Sequence, residues 1–205
     1  MELLAPAGSR KALTAAVQSG ADAVYLGGPQ FGARYSAENF TIEEMKTWVD
    51  YCHLYGVDVH VTVNTLVKEK EIESLKEYLK QLNKIGVDAL IVQDMGAVEI
   101  IKKTVPDMTL HASTQMTVTS LEGVKYLEDM GFSRVVLARE LSEKEIEHIC
   151  KNAKAEIEVF VHGAICMCYS GQCLMSSILG GRSGNRGRCA QPCRLPYDLL
   201  ENGKT

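Results

Sequence analysis

Along residues 1–163, short β-branched runs alternate with longer stretches in which apolar positions recur every three or four residues. Four junctions are variants of one phrase: Gly20-Ala-Asp-Ala-Val-Tyr-Leu, Gly56-Val-Asp-Val-His-Val, Gly86-Val-Asp-Ala-Leu-Ile-Val and Gly131-Phe-Ser-Arg-Val-Val-Leu. Each reads as a helix stopped by a glycine, a two-residue bridge, and a buried strand. The pattern predicts strands over Leu3–Ala5, Ala23–Leu26, Asp58–Asn64, Ala89–Gln93, Thr109–Ala112, Arg134–Ala138 and Glu156–Val161. It predicts helices over Ser9–Ser19, Thr41–Tyr55, Lys70–Ile85, Ala97–Thr104, Ser120–Met130 and Ser142–Asn152. Ser9 supplies an N-cap, and Thr41 with Glu44 and Ser142 with Glu145 supply capping boxes.

Strands and helices that alternate this strictly imply a parallel sheet with right-handed crossovers. Gly27-Gly28 is too weak a match to a dinucleotide-binding fingerprint to favour a doubly wound sheet. The expected fold is therefore an α/β (β/α)8 barrel of the TIM type, with about seven β/α units present. An eighth strand would come from Leu195–Leu200 or from beyond Thr205. The barrel units occupy 1–163, and 164–205 form a Cys/Gly/Arg-rich segment packed on them.

In such barrels chemistry gathers at the C-terminal strand ends. Those ends carry Asn64, Gln93-Asp94, Ser113-Thr114-Gln115, Arg139-Glu140 and His162. We take His162, Arg139, Glu140, Asn64 and Gln115 as catalytic candidates. Polar loops alone would give part of this pattern, and Arg139-Glu140 also reads as a self-satisfied ion pair. His111, inside a strand, fits a core histidine as well as a catalytic one, and mid-strand His60 reads as structural.

The chain has 205 residues, 46% of them hydrophobic and 23% charged, an ordinary globular composition. It has no eighteen-residue apolar run and its first residues do not resemble a signal peptide, so a cytoplasmic protein without a membrane span is expected. Its net charge of −4 is unevenly spread. Val159 to Tyr197 contains no carboxylate, but carries Arg182, Arg186, Arg188 and Arg194. That bias points to an anionic partner, with Arg182, Arg186 and Arg188 as substrate-binding candidates. Pairing with acids elsewhere in the fold is the alternative.

Five of the seven cysteines fall in the same stretch, spaced Cys166-x-Cys168-x4-Cys173-x15-Cys189-x3-Cys193. A disulfide framework does not suit the expected compartment, whereas clustered thiolates suit a metal. The spacing matches neither a zinc ribbon nor a bacterial ferredoxin, so it leaves the metal open. No HExxH is present, and Tyr169-Ser-Gly is not a serine-hydrolase elbow.

The stretch Glu158-Val-Phe-Val-His-Gly-Ala-Ile-Cys-Met-Cys-Tyr-Ser-Gly-Gln-Cys-Leu-Met-Ser-Ser177 resembles the signature of the peptidase U32, or collagenase-like, family. Glu2-Leu-Leu-Ala-Pro-Ala-Gly, Gly20-Ala-Asp-Ala-Val-Tyr-Leu-Gly and Arg139-Glu-Leu-Ser142 are similar to the same family. Gly181-Arg-Ser-Gly-Asn-Arg-Gly-Arg-Cys-Ala-Gln-Pro-Cys193 most resembles the long members with an extra C-terminal domain, including the 23S rRNA 5-hydroxycytidine synthase type.

The resemblance implies a [4Fe-4S] cluster and participation in hydroxylating rRNA cytidine, tRNA uridine or the ubiquinone ring, with prephenate involved in some RNA cases. It carries three cluster ligands onto Cys166, Cys173 and Cys189. The fourth would be Cys193 or a residue beyond Thr205, and the pattern does not require Cys168. By this resemblance the chain lacks a C-terminal part, and these 205 residues are expected to be without a complete cluster. Two other functions stay open: a collagenase-like protease, and a zinc-stabilised RNA-binding module without catalysis.

Overall fold

The computed structural model describes residues 1–33, 37–163 and 166–199. Seven strands alternate with helices in the order β1 (Leu4–Pro6), α1 (Arg10–Gln18), β2 (Ala23–Gly27), α2 (Ile42–Leu54), β3 (Asp58–Val63), α3 (Ile72–Ile85), β4 (Ala89–Val92), α4 (Met95–Thr104), β5 (Thr109–Ala112), α5 (Leu121–Asp129), β6 (Arg134–Val136), α6 (Glu143–Asn152) and β7 (Glu156–Glu158). A short helix α7 (Met175–Gly180) follows within the cysteine-rich segment. All strand pairs are parallel, and the sheet order is sequential from β1 to β7. This is a TIM-barrel-like arrangement of seven strands. The one expected stretch for an eighth, Leu195–Leu200, shows no strand over 195–199, and Leu200 lies outside the described residues.

The helix stops and starts follow the sequence signals. Gly20, Gly56, Gly86 and Gly131 all hold φ between 70° and 86°, which a side chain would make costly. Ser9 Oγ accepts the Ala12 amide at 3.2 Å. Thr41 and Glu44 exchange hydrogen bonds of 3.2 and 3.0 Å, and the Ser142 amide donates to the Glu145 carboxylate at 2.7 Å. Helix α4 begins at Met95 rather than at Ala97, because Asp94 is its cap: one carboxylate oxygen accepts the Ala97 amide at 3.0 Å. The other accepts the Val67 amide at 2.9 Å and so ties the β3 loop to α4.

Strand alternation splits the side chains into two layers. Val59, Val61 and Val63 of β3, Leu90 and Val92 of β4 and Leu110 of β5 join the apolar core, to which Leu75, Leu79 and Leu82 of α3 also belong. Truncating a fully buried member such as Leu79 to Ala costs about 2–5 kcal/mol. The other face carries His60, Thr62, Ile91, His111 and Arg134. The His60 and His111 rings meet edge to face, 4.6 Å apart, and are 3% and 4% exposed. Arg134 bonds Glu2 at 2.6 and 2.5 Å and Glu156 at 2.8 and 2.6 Å, joining β6 to β7 and to the residues before β1.

Strands β3 and β4 end one residue before the sequence pattern predicts, and two others fall further short. β6 ends at Val136 and β7 at Glu158, so Val159–Val161 do not extend the last strand. The last pair is Val136 with Glu158, after which only the Leu137 amide reaches back to the Glu158 carbonyl, at 3.0 Å. A β-branched run makes a strand only where a neighbour offers a ladder. Among the described residues β7 has a neighbour on one side only. No helix of the described residues is long and apolar enough to cross a membrane.

Candidate functional site

A sequential parallel sheet brings the C-terminal strand ends to one face, and the cysteine-rich segment is pinned to that face at two places. The first is Ser170-Gly171. Ser170 is 1% exposed, its hydroxyl accepts from the Arg139 guanidinium at 3.2 and 3.0 Å, and its amide donates to the Glu140 carboxylate at 3.2 Å. The Thr117 hydroxyl donates to the Ser170 carbonyl at 2.5 Å. Gly171, at φ 72°, lies so close to the loop after β5 that a Cβ would fall 2.1 Å from the Gln115 carbonyl oxygen. Only glycine fits there.

The second anchor is Asn185–Gly187. The Leu66 amide donates to the Asn185 carbonyl at 3.1 Å. Arg186 donates to the Leu66 carbonyl at 2.6 Å and grips both carboxylate oxygens of Glu71, at 3.0 and 2.6 Å. That forked pair holds the Glu71 carboxyl below its ordinary pKa. A Cβ on Gly187, at φ 75°, would lie 2.5 Å from the Gly32 carbonyl oxygen. The cysteines are thus carried on a strap tied to the ends of β5 and β6 at one point and to the loops after β2 and β3 at the other.

On this strap Cys168 lies next to Cys173, with Cys166 nearby. Desolvation first, and then the Cys173 thiol, raise the Cys168 pKa above the ordinary thiol value. Gly184 sits between Cys173 and Cys189: a Cβ built on it would be 3.7 Å from the Cys189 Cβ and 3.9 Å from the Cys173 carbonyl oxygen. The Gln191 amide points at the Cys189 sulfur at 3.3 Å, the kind of N–H donation that stabilises a thiolate. Cys193 is exposed on the turn Pro192–Arg194. Among the described residues no three His, Cys, Asp or Glu side chains form a group that would hold a metal ion. Thiols with an amide directed at one of them are the donor types of a thiolate-bound group, but the described residues do not gather three of them, and the nearest carboxylates, Glu140 and Glu71, are engaged with Ser170 and Arg186.

The remaining candidates have mostly holding roles. Asn64 Oδ1 accepts the Ala33 amide at 2.9 Å and fixes the loop after β2. Arg139 and Glu140 clasp Ser170, which no sequence motif singles out, since its neighbours form no hydrolase elbow. Gln115 buries its side-chain oxygen without a hydrogen-bond partner. Because β7 ends early, His162 stands on an exposed loop four residues past the strand rather than at its end. Arg182 and Arg188 are exposed, whereas Arg186 is committed to Glu71.

The family model described as Peptidase family U32 matches residues 8–205. The 23S rRNA 5-hydroxycytidine C2501 synthase of Escherichia coli (strain K12) is 46% identical over 202 residues, which are 98% of this chain and 30% of that protein. The tRNA hydroxylation protein P1 of Bacillus subtilis (strain 168) is 42% identical over 200 residues, 98% of this chain and 47% of that protein. The chain therefore spans less than half the length of either relative. Among solved structures, the U32 peptidase Mk0906 superposes with a TM-score of 0.65 at 20% identity, covering 78% of this chain and 68% of that one. That likeness supports the barrel.

Proposed function

The chain belongs to peptidase family U32, and we propose that it is the barrel-bearing part of an iron–sulfur protein of RNA base hydroxylation, forming 5-hydroxycytidine or 5-hydroxyuridine. One observation carries the reading: relatives named for rRNA and tRNA hydroxylation match 98% of the chain at 46% and 42% identity. The strap adds chemical support, since it holds thiols and arginines without carboxylates over the face where barrels do their work.

In this reading Cys166, Cys173 and Cys189 hold a [4Fe-4S] cluster, with Cys193 or a residue beyond Thr205 as fourth ligand. When bound, such a cluster would supply one-electron transfer; converting a pyrimidine C–H to C–OH is a two-electron oxidation, so an oxygen donor and an electron acceptor from outside this chain would complete the reaction. The chain's own residues do the positioning. Arg139, Glu140 and Thr117 fix Ser170 and with it the backbone between Cys168 and Cys173. Arg186 and Glu71 fix the loop that leads into Cys189. Arg182 and Arg188, both exposed, are the arginines of this loop placed to meet RNA phosphate.

The peptidase reading rests on the family's name. Ser170, which lies between Cys168 and Cys173, is buried and held by Arg139, which suits a structural hydroxyl and not an attacking one. Two measurements test the proposal. Anaerobically purified full-length protein should contain about four irons per chain. Deleting the gene should remove one hydroxylated pyrimidine from rRNA or tRNA by mass spectrometry. Zinc in place of iron, with RNA hydroxylation intact in the deletion strain, would overturn the reading in favour of a zinc-bearing RNA-binding module.

A further inference from the structure

A cavity of about 950 Å³ opens on the same face as the strap, between the loop after β2, the loop after β3 and the arginine loop that precedes Cys189. Its walls include Arg10, Lys68, Lys70, Arg186 and Arg188, against the acids Glu38, Glu44 and Glu71. Two of those acids are already neutralised, Glu44 by Arg10 and Glu71 by Arg186. The hollow is therefore net positive in a chain whose net charge is −4. Lys68 and Lys70, on the turn before α3, are exposed at its rim.

The aromatic residue Phe31, partly buried against the core, is among the residues that line the same hollow. Phe31 holds φ 60°, a left-handed conformation that a bulky residue adopts only under constraint. The Thr65 hydroxyl supplies that constraint by donating to the Phe31 carbonyl at 3.1 Å. The Phe31 ring meets Tyr78 at a centroid distance of 5.9 Å. Tyr78 is 4% exposed, and its hydroxyl has no hydrogen-bond partner. That hydroxyl lies under Gly28 of the cavity wall, where a Cβ would fall 1.9 Å from it.

A positively charged groove with an aromatic platform is how single-stranded nucleic acid is held without reading its sequence: phosphates meet the cations and a base stacks on the ring. We infer that this cleft is the single-stranded RNA track of the protein, with Lys68 and Lys70 as phosphate contacts and Phe31 as the stacking platform. The strand would then lead past Arg188 to Cys189. The inference rests on the RNA-hydroxylation reading for its choice of polymer, and it adds a binding surface which that reading does not contain.

The test uses the full-length protein and a fluorescein-labelled single-stranded RNA of about 12 nucleotides, within the range of such sites. Anisotropy is measured at several salt concentrations. K68E/K70E should bind about tenfold more weakly or worse, and the slope of log affinity against log salt should fall by about 1.4, the loss of two phosphate contacts. Phe31→Ala should lose about fivefold to a hundredfold in affinity with the salt slope unchanged. K125E/K151E, reversing exposed charges on α5 and α6, should bind as the parent does.

Unchanged binding by both K68E/K70E and Phe31→Ala, with parent-like melting curves, overturns the cleft and leaves the hydroxylation reading standing. The expected binding losses, in a protein without iron and with RNA hydroxylation intact in the deletion strain, would keep the cleft and remove that reading.

Discussion

The guanidinium of Arg139 donates two hydrogen bonds, of 3.2 and 3.0 Å, to the hydroxyl of Ser170. A residue three positions past β6 thereby holds a residue 31 positions further on, in the middle of the cysteine strap. Ser170→Ala removes the acceptor and leaves a guanidinium facing a methyl group. Because the bond is charge-assisted and its acceptor is buried, the local opening energy of the strap should fall by about 1.5–3 kcal/mol. Hydrogen exchange should show faster exchange over residues 166–173, with β3 and β4 unaffected. Uniform loss of protection across the whole barrel would mean that Ser170 supports the fold and not the docking.

Gly171 tests the same anchor from the steric side. An alanine there places a Cβ 2.1 Å from a backbone oxygen that belongs to a tight turn, at a φ of 72°. Overpacking and left-handed strain together should cost at least about 2 kcal/mol. Gly8→Ala, where a Cβ meets nothing within 4 Å and φ is not in the left-handed region, should change thermal stability little. Equal melting temperatures for the two variants would show that the strap does not sit against Gln115.

Much of this architecture was legible because local signals agreed with one another. The glycine phrases set the helix stops, and Ser9, Thr41 and Ser142 set the starts. The start of α4 lies two residues before the expected Ala97, because Asp94, read as a polar strand end, caps the helix through the Ala97 amide. The extension of β7 to Val161 failed because β-branched composition records a preference for a sheet, not the presence of a neighbour. The cysteines stood out by density alone. Ser170 did not, because a hydroxyl becomes an anchor only when two distant residues, Arg139 and Glu140, arrive to hold it. The polar inner face was visible as His60 and Thr62 alternating with Val59, Val61 and Val63, a period-two signal easily taken for a stray core histidine.

That inner face makes stability depend on pH. Burial first, then the charges of His60 and Arg134, push the His111 pKa down from 6.5 to about 3, and burial lowers His60 as well. A base with a depressed folded pKa binds fewer protons when folded than when unfolded. Its full stability is present above pH 6.5 and is lost as pH falls from there toward 3. Each unit in that window costs up to about 1.4 kcal/mol for His111 alone. His111→Leu should flatten this acid limb in urea titrations at successive pH values. An unchanged slope would mean that folding does not lower the His111 pKa.

Arg134 should be the most sensitive charged position. It is 9% exposed at its side chain and pairs with Glu2 and Glu156, with Glu158 at 3.7 Å. Arg134→Met strands Glu158, whose pKa burial already raises. The expected loss is about 3–5 kcal/mol, as for removal of one partner of a buried pair. R134M/E158Q should recover part of it, because the second change removes the uncompensated carboxylate. Additive losses would show that the two groups do not interact.

The thiols divide into those the family pattern needs and one that the fold sets beside them. Cys168 lies within interaction range of the Cys173 thiol, yet the pattern does not use it. In anaerobically purified full-length protein, Cys166→Ala, Cys173→Ala and Cys189→Ala should each lose most of the iron and the visible absorbance, since each removes one of the expected cluster ligands. Cys168→Ala should keep both. Cys193→Ala separates the two possible fourth ligands: loss of iron assigns Cys193, and retention assigns a residue beyond Thr205. If Cys168→Ala alone abolished iron while Cys166→Ala did not, the ligand set carried over from the family would be wrong by one position. The thiol pair at 168 and 173 would then be the core of the site.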